Sequence, residues 1–246
     1  MKIRNIVLVL IIVILSLTSC QITEKIYLNE DGSGTFDLEV NMNEMMKSLG
    51  DMGGEKKKDT IYVVKDTIMD FSQMLLEKKD SLAKLSKEKR EQNERLKGMV
   101  IKMHEDKNKG ELVLNYIIKF KNVKELADVQ DMMNNAQSLE KGKDKKLPSK
   151  TKMQFSFKKN TFKRIAEEKK MTEEEVVEYD ESMKQFNMFM DGSSYNIEYH
   201  FPKPIKSTTA RNVTYSEDRK VIYIKSTMKE ITDTPSVLDF EVKLKK

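Results

Sequence analysis

Apolar and polar side chains alternate over three pairs of segments along the chain, and this pattern predicts three antiparallel β-hairpins. Each pair is separated by a short run rich in Gly, Asp, Asn or Lys, which favours a tight turn. In the first segment Glu24 shares a face with three apolar residues, Ile22, Ile26 and Leu28. The paired segments are 22–28 with 35–40, 99–104 with 111–120, and 152–157 with 161–165.

Each predicted hairpin is followed by the signature of a helix start. An Asn or Thr side chain that can accept a hydrogen bond is answered by Glu three residues later, which is the pattern of a capping box. The tetrads begin at Asn41, Asn122 and Thr172, and the predicted helices end near Leu49, Ala136 and Met190.

Between the first two hairpins, apolar residues fall at the three-, four- and seven-residue spacing of a helical stripe. The stripe consists of Ile68, Phe71, Leu75, Leu82 and Leu85. It predicts one long helix over about 66–97, which would measure roughly 45 Å at about 1.5 Å per residue. Its second half is polar, so the helix is interpreted either as a solvated amphipathic helix or as an arm that binds a partner protein.

The last quarter of the chain is rich in predicted strands, which occupy 195–201, 213–215, 221–224 and 237–244. Because strands and helices occur in separate runs rather than in single alternation, the pattern favours an α+β fold. We expect antiparallel hairpins and a C-terminal strand-rich sheet packed with amphipathic helices. The mature chain, residues 20–246, is expected to form one such domain with a Lys-rich link near 140–150.

The first twenty residues have the composition of an export signal. Lys2 and Arg4 precede ten residues without a polar side chain, 6–15, which is too short a run for a bilayer-spanning helix. The tetrapeptide Leu-Thr-Ser-Cys that ends at Cys20 resembles the lipobox of bacterial lipoproteins. This resemblance implies cleavage after residue 19, a diacylglyceryl group on the Cys20 sulfur, and acylation with palmitate as the expected chain. An ordinary secreted protein and an uncleaved N-terminal helix are the alternatives.

Composition limits the partners that the chain can bind. Charged residues make up 35% of the sequence, but the net charge is only +5, and Lys2 and Arg4 account for two of these charges. Acidic and basic residues are interspersed, so no basic surface for nucleic acid is predicted. The absence of Trp argues against a sugar or nucleobase site lined by aromatic rings.

No sequence motif for catalysis, nucleotide binding or metal binding is present. The two histidines, His104 and His200, each end an apolar strand, and a metal site would need both to converge with carboxylates. The Asp31–Gly34 segment lacks the spacing of an EF-hand and is interpreted as a plain turn. We therefore predict no catalytic residue, no metal and no cofactor.

Two segments resemble a known group of proteins. They are IYLNEDGSGTF, residues 26–36, and YHFPKPIKSTTARNVTYSEDRKVIYI, residues 199–224. The pattern is similar to that of LppM-like lipoprotein domains and of uncharacterised lipoproteins of Bacteroidota. The resemblance implies an envelope protein with an α+β sheet domain.

Together these features predict a noncatalytic envelope lipoprotein that binds a partner or scaffolds other proteins, with the long helix as the contact for an envelope protein. A lipid- or small-ligand-binding module is an alternative, favoured by the resemblance and by the Met- and Phe-rich residues 183–190. An unrecognised hydrolase is the remaining alternative. Because Gln21 rather than Asp follows Cys20, the anchor is expected in the outer membrane, facing the periplasm.

Overall fold

The computed structural model describes residues 20–52, 63–141, 149–190 and 192–246, which form strands in two sheets together with helices. The α+β prediction is confirmed. The strands are β1 (Gln21–Leu28), β2 (Gly34–Asn41), β3 (Lys65–Asp70), β4 (Met99–Asp106), β5 (Glu111–Phe120), β6 (Thr151–Lys158), β7 (Thr161–Glu168), β8 (Ser194–His200), β9 (Ile205–Thr208), β10 (Val213–Tyr215), β11 (Val221–Thr227) and β12 (Phe240–Leu244). The α-helices are α1 (Asn43–Met52), α2 (Phe71–Glu77), α3 (Lys79–Leu82), α4 (Lys87–Glu94), α5 (Val129–Lys141), α6 (Glu173–Met190) and α7 (Met228–Asp233), and 3-10 helices span Val123–Asp128 and Pro235–Leu238. The predicted signal peptide, residues 1–19, lies outside the described residues.

The larger sheet has eight strands in the order β10-β11-β8-β1-β2-β5-β4-β3, and the smaller has four in the order β6-β7-β12-β9. Neighbouring strands are antiparallel except for β1 and β8, which run parallel in the middle of the larger sheet. The C-terminal strands do not form a sheet of their own, because β8, β10 and β11 join the larger sheet while β9 and β12 join the smaller one.

All three predicted hairpins are confirmed as β1–β2, β4–β5 and β6–β7. In the last of them the turn residues Lys159 and Asn160 both have positive φ, which suits the twist of a two-residue hairpin loop. The first hairpin needs Gly34, because a Cβ there would lie 2.1 Å from the carbonyl oxygen of Tyr27.

The three predicted helix starts are also present. Thr172 and Glu175 form the reciprocal bonds of a capping box, with the Thr172 hydroxyl accepting from the Glu175 N–H at 3.2 Å and the Glu175 carboxylate accepting from the Thr172 N–H at 2.8 Å. Asn122 caps the 3-10 helix by accepting from the Lys124 N–H at 3.0 Å. The Asn41 side chain accepts from the Asn43 N–H at 3.1 Å where α1 begins.

The single long helix predicted over 66–97 is wrong. This stretch contains strand β3 and the three short helices α2, α3 and α4. Asp70 ends the strand and caps α2 by accepting from the Ser72 N–H at 2.8 Å, and Ser86 caps α4 by accepting from the Lys89 N–H at 3.3 Å. These local caps divide the apolar stripe, because a side-chain acceptor that bonds the backbone starts a new helix instead of continuing an old one.

The core lies between the two sheets and is centred on aromatic rings. Phe162 of the smaller sheet meets Tyr199 and Phe201 edge to face, with ring centroids 5.5 Å apart in both pairs. Phe240 of β12 packs against Tyr199 with the centroids 5.8 Å apart. Such tilted and edge-to-face pairs contribute about 0.5–1.5 kcal/mol each beyond the burial of their area.

A buried ion pair joins the two sheets beside these rings. Glu24 of β1 is 4% exposed and Arg164 of β7 is 3% exposed, and their side chains meet with 3.3 Å between Arg164 Nη2 and Glu24 Oε2. The hydroxyls of Tyr195 and Tyr199 both donate to the Glu24 carboxylate. Arg164 also donates to Tyr199 Oη and to the Leu238 carbonyl, each at 3.1 Å.

Burial and neighbouring charges shift the pKa values of Tyr195, Tyr199 and Arg164 in this cluster. Burial raises the pKa of Tyr195 and Tyr199 well above the ordinary value, and the nearby negative charge of Glu24 raises it further. Burial alone would lower the pKa of Arg164, but the Glu24 carboxylate outweighs burial and raises that pKa. Arg164 is therefore a buried cation beside two neutral phenols, and over the described residues no buried side-chain nitrogen or oxygen lacks a hydrogen-bond partner.

We predict that Arg164→Met lowers the free energy of unfolding by about 3–5 kcal/mol, because it leaves the Glu24 carboxylate buried without a cation. Glu24→Gln should also destabilise the fold, since it leaves Arg164 uncompensated. The double variant should lose less than the sum of the two single losses, because the pair acts as one unit. Urea unfolding of the four proteins measures these differences.

The control is Lys229→Met, which removes the exposed ion pair of Lys229 with Asp233, 2.7 Å apart, in α7. An exposed pair of this kind contributes only about 0.2–0.5 kcal/mol. Equal losses for Arg164→Met and Lys229→Met, or strictly additive losses in the double variant, would contradict the structural role of the buried pair.

Candidate functional site at the start of the first strand

Cys20, the residue singled out by the lipobox resemblance, lies immediately before β1 and is held by its backbone. Its N–H donates to the hydroxyl of Ser193 at 3.1 Å, and its carbonyl accepts from the Ser194 N–H at 3.1 Å. Ser193 and Ser194 lie at the start of β8, so Cys20 continues the parallel pairing of β1 and β8 by one residue. No flexible linker separates Cys20 from the folded sheet.

The Cys20 side chain is buried, with 3% of the residue exposed. Its sulfur lies 4.0 Å from the sulfur of Met45, which belongs to α1. Burial raises the pKa of the Cys20 thiol, and a hydrogen bond with Ser193 opposes this rise only in part. The folded chain therefore holds the residue as an unreactive thiol beneath α1.

Cys20 lies at one end of the larger sheet, which we call the Cys20 end. A continuous row of paired residues crosses seven strands at this end. The row is Thr227, Ser194, Gln21, Asn41, Val113, His104 and Asp66. Helices α1 and α7 follow β2 and β11 directly, so both begin at the Cys20 end.

The opposite end of the same sheet carries helices α2, α3 and α4, which we call the helical cap. The cap follows Asp70, the last residue of β3, and leads into Met99, the first residue of β4. Because β1 has 8 residues, the two ends are separated by roughly 25 Å at about 3.3 Å per residue. Residues 71–97 of the segment that was predicted to contact a partner thus lie at the end of the sheet away from Cys20.

A cleft of about 290 Å³ lies within the helical cap. Its apolar lining is Leu75, Leu76, Leu82 and Ala83, and its charged and polar lining is Lys79, Arg90, Asn93, Glu94 and Lys97. Arg90 is engaged in the structure of the cap, since it donates to the carbonyls of Ala83 and Leu85. The cleft is slightly smaller than the roughly 300–1,000 Å³ that is usual for small-molecule sites.

The two histidines do not come together. His104 lies at the Cys20 end with Nδ1 2.8 Å from Asp66 and Nε2 3.5 Å from Glu111. His200 lies at the other end of β8, where it stacks on Tyr27 with the ring centroids 4.4 Å apart. Over the part of the chain that the structure describes, no group of three or more His, Cys, Asp or Glu side chains is placed to hold a metal ion.

Other segments considered in the sequence have structural explanations. The Asp31 turn is an ordinary turn, in which the carboxylate accepts from the N–H of Ser33 at 2.9 Å and from its hydroxyl at 2.6 Å. Lys150 pairs with Asp180 at 3.0 Å, whereas residues 142–148 of the predicted Lys-rich link lie outside the described residues. The side chains of residues 185–190, in the Met- and Phe-rich helix end, also lie outside them.

The sequence did not identify the surroundings of Cys20 or the partner of Glu24. Ser193 and Met45 reach Cys20 through strand pairing and helix packing, which leave no local pattern. Glu24 did leave a signal, because it is a carboxylate in the apolar face of a strand. Its partner Arg164 is 140 residues away in the chain, so the pairing itself had no local signature.

Within the described ranges, none of the helices is long and apolar enough to cross a bilayer. No protein-family model and no curated protein matches the chain. Among solved structures, the chain is similar to the NMR structure of the folded domain of the LppM protein from Mycobacterium tuberculosis. The similarity covers 92% of this chain and 89% of that chain, with 8% sequence identity and a TM-score of 0.39.

We predict that Cys20 of the unacylated, folded chain reacts with iodoacetamide at least about tenfold more slowly than the same residue in urea, because burial lowers the thiolate fraction and blocks access. Met45→Ala should increase the folded-state rate several-fold by uncovering the sulfur. Mass spectrometry of timed samples measures the rate. Equal rates in the folded and unfolded chains would contradict the burial of the thiol.

We predict that His104 titrates above the ordinary histidine value of about 6.5. The hydrogen bond with Asp66 raises its pKa, burial opposes the rise, and the hydrogen bond with Glu111 adds to it. The protonated ring therefore stabilises the β3–β4 edge below about pH 6.5, and this contribution is lost as the pH rises through the folded-state pKa.

Histidine NMR resonances followed against pH measure this midpoint. Asp66→Asn should lower the midpoint of His104, whereas Asp31→Asn, in a turn at the other end of the sheet, should leave it unchanged. A His104 midpoint at or below the ordinary value would contradict the contact with Asp66.

Proposed function

We propose that this chain is an exported cell-envelope lipoprotein, anchored through lipid on Cys20, with a noncatalytic role in binding or scaffolding partners. The observation that carries the proposal is the position of Cys20. It is the one cysteine of the sequence, it ends a lipobox-like tetrapeptide, and strand β1 starts at the next residue. A lipid at this position would attach directly to the central strand of the larger sheet.

The burial of the thiol constrains when acylation takes place. A thiol with a raised pKa beneath Met45 is a poor nucleophile and a poor substrate for a transferase. Acyl transfer therefore precedes the packing of α1 over Cys20. A glyceryl group on the sulfur would take the space that Met45 now occupies, so acylation requires Met45 to move from its present contact.

The geometry of the cap supports a scaffolding role. The helical cap lies at the end of the sheet opposite Cys20, so an anchored molecule presents it away from the membrane. Leu76 of α2 is 73% exposed there and lines the apolar part of the cleft. The sequence assigned the contact with an envelope partner to one long helix. We now assign that contact to the helical cap, whose three short helices replace the long one.

The two alternatives have less support. A lipid- or small-ligand-binding module rests on the cap cleft, whose volume of about 290 Å³ is small for an acyl chain with its headgroup. A hydrolase would need a nucleophile and a base that meet in a cleft, and His104 with its carboxylates lies on the sheet, away from the cap cleft. We also propose placement in the outer membrane, because Gln21 rather than Asp follows Cys20, and an orientation toward the periplasm, because no acidic run follows Cys20.

We predict that Cys20→Ser abolishes acylation and releases the protein from membranes, because one thioether-linked diacylglyceryl group and one amide-linked chain supply the stable anchoring. The parent protein should have the mass of residues 20–246 plus the acyl groups and should sediment with the envelope fraction. The Cys20→Ser chain should keep its precursor mass.

The matched control is Ser33→Ala, at the opposite end of β1, which should be processed and should sediment like the parent. The proposal fails if the parent protein has no acyl group, or if Cys20→Ser matures to the same size and still sediments with membranes.

A further inference from the structure

Two adjacent valines stand in solvent immediately before strand β3. Val63 is 79% exposed and Val64 is 44% exposed, and both lie outside the sheet hydrogen bonding. Single exposed apolar residues are common on protein surfaces, so exposure alone assigns no role to this pair. Its position relative to Cys20 provides the further observation.

The valine pair lies at the Cys20 end of the larger sheet. Lys65, which follows Val64, pairs with Glu105 just beyond the row that contains Gln21. Strands β1 and β3 are four positions apart in the sheet order, which corresponds to about 20 Å at roughly 4.8 Å per strand. Cys20 and the valine pair are therefore two separate points along one end of a rigid sheet.

Three lysines of the described residues around this end have carboxylate partners. In the turn between β4 and β5, Lys107 lies 3.4 Å from Glu105, and Lys109 lies 3.3 Å from Asp106. On α1, Lys47 lies 2.9 Å from Glu44. A surface on which these cations already have carboxylate partners does not depend on anionic headgroups, and its favourable contact with lipid would come from the exposed valines.

We infer that the Cys20 end rests directly on the bilayer, with Val63 and Val64 inserted at the boundary between headgroups and acyl chains as a second attachment point. The inference rests on the proposed anchoring through Cys20. Its physical basis is the missing linker, since the Cys20 N–H and carbonyl are both bonded to β8 and the lipid is attached where the sheet begins. Because no linker separates the lipid from the sheet, the Cys20 end stays close to the membrane surface.

The insertion also accounts for the orientation of the molecule. Acyl chains at one point hold the protein at the membrane but leave it free to tilt. A second apolar contact some 20 Å away along the same end, as measured by the strand spacing, restricts the tilt within the plane of the sheet. The helical cap is then held at the greatest distance from the lipid.

The test uses the acylated protein, in which Cys20 has no free thiol. Val64→Cys is labelled with an environment-sensitive fluorophore and the protein is reconstituted into phosphatidylcholine vesicles with and without brominated acyl chains. We expect a blue-shifted emission that loses most of its intensity when the brominated lipid is present. Val63→Cys, as a second labelling site, should behave in the same way.

The matched control is Leu76→Cys in the helical cap, which is 73% exposed against 79% for Val63 and should show neither the blue shift nor quenching. Intact mass measured before reconstitution separates the two proposals. An unmodified Cys20 would overturn the anchor and the insertion together, whereas an acylated protein with an unquenched label at Val64 would overturn the insertion alone. A blue shift that depends on protein concentration and not on brominated lipid would assign the valines to a second copy of the chain, and would likewise overturn the inference.

Discussion

The meeting of Glu24 and Arg164 between the two sheets is the constraint on which the rest of the structure depends. Two opposite charges that are buried in an apolar interior must be paired, since either one alone would cost several kcal/mol. Because the carboxylate is in β1 and the guanidinium is in β7, the pair selects one relative position of the sheets. A shift of the smaller sheet by one residue, about 3.3 Å, would separate Arg164 from the Glu24 carboxylate and from the Tyr199 hydroxyl.

The same contact adds a bond between the sheets to a strand that is already paired on both edges. Strand β1 pairs with β2 and β8, and its Glu24 accepts from Arg164 of β7, which also donates to the carbonyl of Leu238. Cys20 precedes this strand directly and shares its hydrogen bonding to β8. The residue with the strongest sequence signal therefore lies next to a strand that is paired on both edges, and its sulfur lies against Met45 of α1.

Sequence patterns predicted those parts of the fold whose causes are local. The three hairpins and the capping box at Thr172 follow from alternation, turn residues and acceptors a few positions apart. The parallel pairing of β1 with β8 joins residues 173 positions apart, as in the bond from Cys20 to Ser193, and no local pattern encodes it. The long helix failed for a different reason, because the acceptors at Asp70 and Ser86 divided the stripe, and its first residue, Ile68, lies exposed in strand β3. At the candidate site, Cys20 was predictable from four residues, whereas Ser193, Met45 and the two exposed valines depended on the sheet order.

The length of β1 sets how far the cap stands from the anchor. A lipoprotein on a long flexible tether can move to many positions around its attachment point. It can therefore contact partners at many distances from the membrane surface. Here the first strand begins at the residue after Cys20 and spans roughly 25 Å, at about 3.3 Å per residue, toward the end of the sheet that carries the cap. An anchored molecule would thus hold its helical cap at a fixed distance from the membrane surface. It would diffuse laterally in the membrane plane and contact partners whose surfaces extend to that distance.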